Sequence, residues 1–276
     1  MIYEYIASPN KSSRKGNQVS GIIAHFTAGG SLNSTVRYMC NKIINEATGE
    51  PYNAQASSHY ITGRDGTTIS LVKESMAAWH AGSRTTKPKL KGKGSLNLWT
   101  IGHEICNWGG LLKRGDEFFC WPNNWTKRYE GPTPSYVLRK CDPAVHDKFY
   151  RAGGQNDGKL LFPKGIIEYW EPYTEEQIKA VITLWKELVE RYEIGHEWIA
   201  GHEKVDPTRK IDPGPAFPWV EILDAVYPAP RLMDDDLVPE LLRPIDSEGI
   251  YELSLQAKES RKEIGICSRI ISSILK

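Results

Sequence analysis

The stretch from Thr174 to Tyr192, TEEQIKAVITLWKELVERY, constrains the fold more than any other part of the chain. Thr174 followed by Gln177 fits a capping box, and Ile178, Val181, Ile182, Trp185, Leu188, Val189 and Tyr192 recur with the period of one helix face. This predicts a helix of about five turns. A helix with a single apolar face must cover something, and the natural partner is a sheet.

Several segments supply that sheet. Residues 19–27, VSGIIAHFT, read as a buried strand with Ile22, Ala24 and Phe26 on one face and Ile23, His25 and Thr27 on the other. Gly29, Gly30 and Ser31 end it, and Val36, Met39, Cys40 and Ile43 then fall at helical spacing. SSHYITGRDGTTISLV gives two short β runs around Arg64-Asp65-Gly66, a hairpin signal, and TIGHEIC gives a further strand. Strands alternating with helices predict an α/β fold.

Two regions stand apart. Residues from about 109 to 172, rich in Gly, Pro, Asn, Trp and Lys, are too long for a simple connection and read as a loop-rich functional insertion. After Tyr227, PAPRLMDDD reads as a linker, which divides the chain into a catalytic domain over 1–228 and a small C-terminal extension over 229–276. Within the extension, Cys267, Ile270, Ile271 and Ile274 share a helical face suited to packing on the catalytic domain or on a partner.

A formal charge of +1 gives no general electrostatic reason to expect a nucleic-acid or membrane partner. The local run Lys87, Lys89, Lys91 and Lys93 reads as a solvated loop. No apolar run approaches the ~18 residues of a membrane span, and the start MIYEYIASPNKSSRKGN lacks the apolar core of a secretory signal. The expectation is synthesis in the cytoplasm as a soluble protein. Cys40, Cys106, Cys120, Cys141 and Cys267 are scattered without a CxxC pair, so they are expected to be free thiols.

The chemistry gathers at strand ends. Trp198-Ile199-Ala200 is short and apolar and delivers His202 to a loop, much as the earlier strand delivers His25. Asp212 follows ten positions later in GHEKVDPTRKIDPGPAF, a stretch too rich in proline for a helix. Either histidine alone is more often structural. With Asp212 they form a set of two imidazoles and one carboxylate, which suits Zn²⁺ and leaves a fourth position for water. In an extended Lys210-Ile211-Asp212, alternation sends Lys210 to the side of Asp212, either as a surface lysine or as a cation for an oxyanion. Glu104 interrupts an apolar strand, where burial would raise its pKa and suit it to proton transfer; a strand-end salt bridge explains it equally. His59, His80 and His103 fit core positions or supports for a ligand, and His146 and His196 fit loops.

The segments IIAHFTAGG, SSHYITGRDGTTISLV, AAWHAGSR, IGHEICNWG and AGHEKVDPTRKIDPGPAF occur in an order that resembles the type 2 family of zinc-dependent N-acetylmuramoyl-L-alanine amidases, which also includes peptidoglycan recognition proteins. The resemblance covers roughly residues 18–222 apart from the insertion. It implies a central mixed β-sheet flanked by helices, and hydrolysis of the amide between N-acetylmuramic acid and the L-alanine of the stem peptide, in peptidoglycan or in muropeptides. It also implies that His25, His202 and Asp212 bind Zn²⁺, that Glu104 is general base or acid, and that Lys210 assists the oxyanion. Trp79, His80 and Asn107 fall on family motifs and are expected to bind substrate. His103 stands where the family usually carries an apolar residue, and the insertion and extension have no family equivalent.

Without a signal sequence, the family reading implies an enzyme that reaches the wall by release or delivery, as a lytic endolysin or antibacterial effector, or one that recycles muropeptides in the cytosol. The delivery or inhibitor partner is not named by the sequence. Two rivals differ in chemistry. One is a recognition module that binds muropeptides without cutting them. The other is a cysteine amidase using Cys106, which shares the Glu104 face of its strand.

Overall fold

The structure is a computed structural model that describes residues 3–45, 48–82, 94–120, 127–140, 166–207 and 209–228. The chain divides into two compact units, Met1–Pro228 and Ala229–Lys276, and everything below belongs to the first. The lysine run at 87–93, Cys141, His146 and the apolar face around Cys267 lie outside the described residues.

A mixed sheet of six strands organises this unit. Its strands are β1 (Glu4–Tyr5), β3 (Gly21–Phe26), β4 (Tyr60–Thr62), β5 (Thr68–Ser70), β7 (Thr100–Ile105) and β13 (Ile199–Gly201), in the order β1-β5-β4-β7-β3-β13. The pairs β4–β7, β7–β3 and β3–β13 are parallel and almost wholly buried, which explains why IIAHF carries apolar residues on both faces, while in TIGHEI the half-buried Glu104 marks the side that opens to the cleft. A short antiparallel pair, β2 (Lys11–Ser13) with β6 (Met76–Ala78), lies outside this sheet. β4 and β5 form the expected hairpin, and Gly66 at its turn has φ +80° and sits against the Glu176 carbonyl, so only glycine fits.

Helix α1 (Leu32–Met39) starts at Ser31, whose hydroxyl accepts the Ser34 N–H. Helix α2 (Glu175–Tyr192) is the long helix read from the sequence, and it has the complete capping box between Thr174 and Gln177. Its Val181, Leu184, Trp185 and Leu188 pack with Ile22, Ala24, Ile101 and Ile105 on one sheet face, joined by Ile222 and Val226 of helix α4 (Trp219–Val226). Among the described residues no helix is long and apolar enough to cross a membrane.

His103 points into this helix-covered face. The Trp185 indole N–H donates to its Nδ1 at 3.0 Å, so Nε2 carries the proton and donates to the Thr62 hydroxyl at 2.7 Å. Burial pushes the His103 pKa down to about 3, and a neutral imidazole with both nitrogens satisfied is tolerated among apolar neighbours. It is therefore a core histidine. His103→Leu leaves the Trp185 N–H without a partner and is expected to cost about 1–3 kcal/mol in chemical denaturation. The same variant should keep the metal uptake of the parent protein, and a variant of unchanged stability that loses metal would contradict this placement.

The insertion is where sequence and structure differ most. The segment expected to be loop-rich contains five strands, β8 (Gly110–Arg114), β9 (Glu117–Cys120), β10 (Lys127–Arg128), β11 (Ser135–Lys140) and β12 (Ile166–Trp170), in an antiparallel sheet of order β10-β9-β8-β12-β11. Leu112, Ile167 and Trp170 on its inner face pack with Phe26 and Ile211. Leu111 and Cys120 on its outer face pack with Tyr129, Trp108 and Phe118. β8 and β9 form a hairpin through Gly115-Asp116, a local signal the sequence reading passed over, but β8 finds its other partner β12 far along the chain, Leu111 facing Tyr169, so the full sheet is not announced locally.

Candidate active site

Strand register assembles the site. β3 and β7 run in parallel with His25 opposite Glu104, which sends both side chains to the same face. β13 pairs with β3 so that Gly201 faces Ala24, and the next residue, His202, comes to rest with its ring centroid 4.5 Å from that of His25. His202 opens a one-turn helix, α3 (His202–Val205), where a loop was expected. The proline-free stretch from His202 to Asp206 is long enough for that single turn, and Pro207 follows it.

Asp212 completes the group. Its Oδ2 lies 2.8 Å from His25 Nδ1 and 3.1 Å from His202 Nδ1. These separations approach the roughly 3.3 Å between two ligand atoms of a tetrahedral site with metal bonds near 2.0–2.1 Å. All three residues are buried, and their ligand atoms lie within 4.8 Å of one another. The Glu203 N–H donates to the Asp212 carbonyl at 2.9 Å, and the Tyr173 hydroxyl donates to the Pro213 carbonyl at 2.8 Å. The Asp212 loop is therefore tied to α3 on one side and to the segment before α2 on the other. Arg139 of β11 also pairs with Glu203, so the insertion braces the same turn.

Electrostatics prepare these groups for a cation. Burial, reinforced by His202, lowers the His25 pKa to about 4, so its imidazole is neutral at pH 7. Burial alone would raise Asp212, but the neighbouring His202 and His25 outweigh it and hold the carboxyl well below its ordinary range. Two imidazole nitrogens and a carboxylate oxygen form a donor set that fits a divalent metal with one position to spare.

Glu104 stands beside that set in the cleft wall. Burial, with Asp212 adding to it and Lys210 opposing it, raises its pKa well above the usual carboxylate range. Its Oε2 is buried without a hydrogen-bond partner among the described residues, so the sequence alternative of a strand-end salt bridge does not describe it. Lys210 lines the same cleft as Glu104 and Asp212, while Ile211 packs with Phe26 and Trp170.

The cleft measures about 1130 Å³. His25, Glu104, His80, Trp79, Trp108, Lys210 and Asp212 line it, and Lys127 and Arg128 bring the insertion to it. Trp79 is 37% exposed, and the Lys127 ammonium sits 4.6 Å from the centre of the Trp108 ring. His80 also bonds to a member of the metal group: its Nδ1 is 3.0 Å from His25 Nε2.

The structure places Asn107 and Cys106 away from the cleft chemistry. Asn107, expected to bind substrate, is 1% exposed, and its side chain is committed to the backbone: Nδ2 donates to the Glu171 carbonyl and Oδ1 accepts the Gly109 N–H. Cys106 is fully buried among Val36, Ile61 and Leu71, and burial pushes its thiol up to about 12. It cannot supply the thiolate a cysteine amidase needs. The sequence reading also passed over Arg64 and Glu171. Glu171 is buried, accepts from Arg64 Nε at 2.9 Å and caps the Trp108 N–H, joining the hairpin to the insertion. A lone glutamate before a proline carries no signal of such a role.

Comparison with known proteins narrows the site to a family. The family model described as N-acetylmuramoyl-L-alanine amidase matches residues 15–215. Over 56 residues the chain is 41% identical to N-acetylmuramoyl-L-alanine amidase AmiD of Escherichia coli (strain K12), a match covering 20% of each protein. Over 48 residues it is 42% identical to 1,6-anhydro-N-acetylmuramyl-L-alanine amidase AmpD of Enterobacter cloacae, covering 17% of this chain and 26% of the relative. The chain thus spans only about a quarter or less of the curated relatives it matches. The crystal structure of a selenomethionine derivative of AmpD shares the fold, with TM-score 0.51 and 18% identity over 81% of this chain and 93% of that one. Because the match from residue 15 to residue 215 takes in five of the six strands of the central sheet and all three converging donors, this chain belongs to the N-acetylmuramoyl-L-alanine amidase family.

Proposed function

We propose that the protein is a zinc-dependent hydrolase of the amide between the lactyl group of N-acetylmuramic acid and the L-alanine of the stem peptide. The observation that carries this reading is the meeting of His25 Nδ1, His202 Nδ1 and Asp212 Oδ2 beside Glu104, whose affinity for a proton is raised by burial. Bound by those three residues, Zn²⁺ would polarise the scissile carbonyl and lower the pKa of a water. Glu104 takes the proton from the attacking water and delivers it to the departing L-alanine nitrogen. Lys210 sets its positive charge beside the oxygen that becomes negative as the carbonyl turns tetrahedral. The substrate class is supported by the activities that the relatives AmiD and AmpD are named for.

We assign the chemistry to residues 1–228, treat 229–276 as an appendage, and read the substrate as polymeric wall, which makes the enzyme lytic. The support is the cleft of about 1130 Å³, at the upper end of the ~300–1,000 Å³ usual for small-molecule pockets, with Lys127 and Arg128 of the insertion among its lining residues. The test is digestion of purified peptidoglycan, and separately of a soluble muropeptide, with and without a zinc chelator, followed by mass spectrometry of new termini. Free L-alanine amino termini from the wall, lost with chelator, are expected. Cleavage of the muropeptide alone would replace the lytic role with recycling. Intact wall with protein bound to it would replace the hydrolase with a recognition module.

A further inference from the structure

We infer that His80 and Thr100 are positioning residues that fix the tautomer and orientation of His25 and so set its affinity for metal; this rests on the zinc reading above. The argument is one of hydrogen-bond direction. The Thr100 hydroxyl donates its only hydrogen to the Leu96 carbonyl at 2.8 Å. Its oxygen can then only accept from His80 Nε2, 3.2 Å away, so that nitrogen carries the His80 proton. His80 Nδ1 is left as an acceptor, and it faces His25 Nε2 at 3.0 Å. With a cation held at this site, His25 would keep its proton on Nε2, against the His80 acceptor, and offer its Nδ1 lone pair to the ion; without one, the Asp212 carboxylate 2.8 Å away competes for that proton. A carbonyl, which can only accept, thus polarises the whole chain toward the state in which His25 is a ligand.

The fold holds His80 in that place. The backbone N–H groups of His80 and Ala81 both donate to Asn97 Oδ1, at 3.1 and 2.8 Å. The imidazole lies flat against Gly102 of β7, where a Cβ would come within 2.4 Å of His80 Cγ. Glycine in the middle of TIGHEI weakens a strand, and the histidine ring gives it a reason to be there. The neighbouring His59 does not compete, because its Nδ1 already accepts the Gly102 N–H at 2.9 Å.

The test is zinc affinity of the purified, metal-stripped protein, measured by competition with a chromophoric chelator and without any substrate. Thr100→Val keeps the shape and removes the hydroxyl, and the Leu96 carbonyl still accepts the Trp99 N–H. Thr100→Val and His80→Ala should each weaken zinc binding about 10- to 100-fold. Thr100→Ser should restore it, and the absorption spectrum of the cobalt-loaded His80→Ala protein should shift. Gly102→Ala, which displaces the ring, should act in the same direction. Folded Thr100→Val and His80→Ala proteins with parental affinity would overturn the inference while leaving the zinc reading intact. A parent protein that takes up no zinc would overturn both.

Discussion

Glu104→Gln is expected to lower the rate of peptidoglycan hydrolysis by about 10²- to 10⁴-fold, the usual contribution of a positioned acid–base group, with zinc uptake unchanged. Glutamine keeps the volume and one carbonyl oxygen but cannot take or give a proton. The wild-type carboxyl is suited to both duties because burial raises its pKa well above the ordinary range and because its Oε2 has no hydrogen-bond partner among the described residues. His25 and Glu104 face each other across the β3–β7 register, so the loss is confined to one atom pair beside the metal group. Steady-state hydrolysis together with metal content checks this. A folded, zinc-loaded Glu104→Gln protein that turns over at the parental rate would remove Glu104 from the mechanism.

Asp212→Asn is expected to abolish both zinc uptake and turnover. The carboxylate is the one charged donor of the three, and it bridges His25 and His202 at 2.8 and 3.1 Å. An amide offers a weaker ligand and brings an N–H into a site that calls for acceptors. Loss of several kcal/mol of Lewis-acid stabilisation corresponds to a rate lower by roughly 10³-fold or more. The substitution spares α2 and its packing against the sheet, so secondary structure by circular dichroism should be retained. Parental turnover in the Asp212→Asn protein would rule out this residue as a ligand.

Much of the central sheet was legible because its signals are local. Thr174 and Gln177 announce the start of α2, Asp65-Gly66 announces the hairpin, and IIAHF is a strand by its neighbours alone. His25, His202 and Asp212 could be selected because histidines at strand ends and an aspartate in a proline-rich loop are rare enough to be read together, and the fold does bring their ligand atoms within reach. What stayed hidden depends on partners distant in sequence. Leu111 and Tyr169 read as strand residues only once paired, and Arg139 gains its meaning from Glu203. Asn107 and His80 sit in comparable motifs, yet one turns to the backbone and the other to His25, a difference that only tertiary contacts decide. His103 looked like an anomaly in an apolar strand until Trp185, on a helix assembled much later in the chain, supplied its partner.

The most direct test of the account is a zinc titration of metal-stripped protein with hydrolysis of purified peptidoglycan followed in the same samples. Turnover should be absent at zero zinc, rise in proportion to zinc added, and level off at one ion per chain, the capacity of the single His25, His202 and Asp212 group among the described residues. Full hydrolysis by zinc-free protein, or one bound zinc per chain with no release of L-alanine termini, would contradict it.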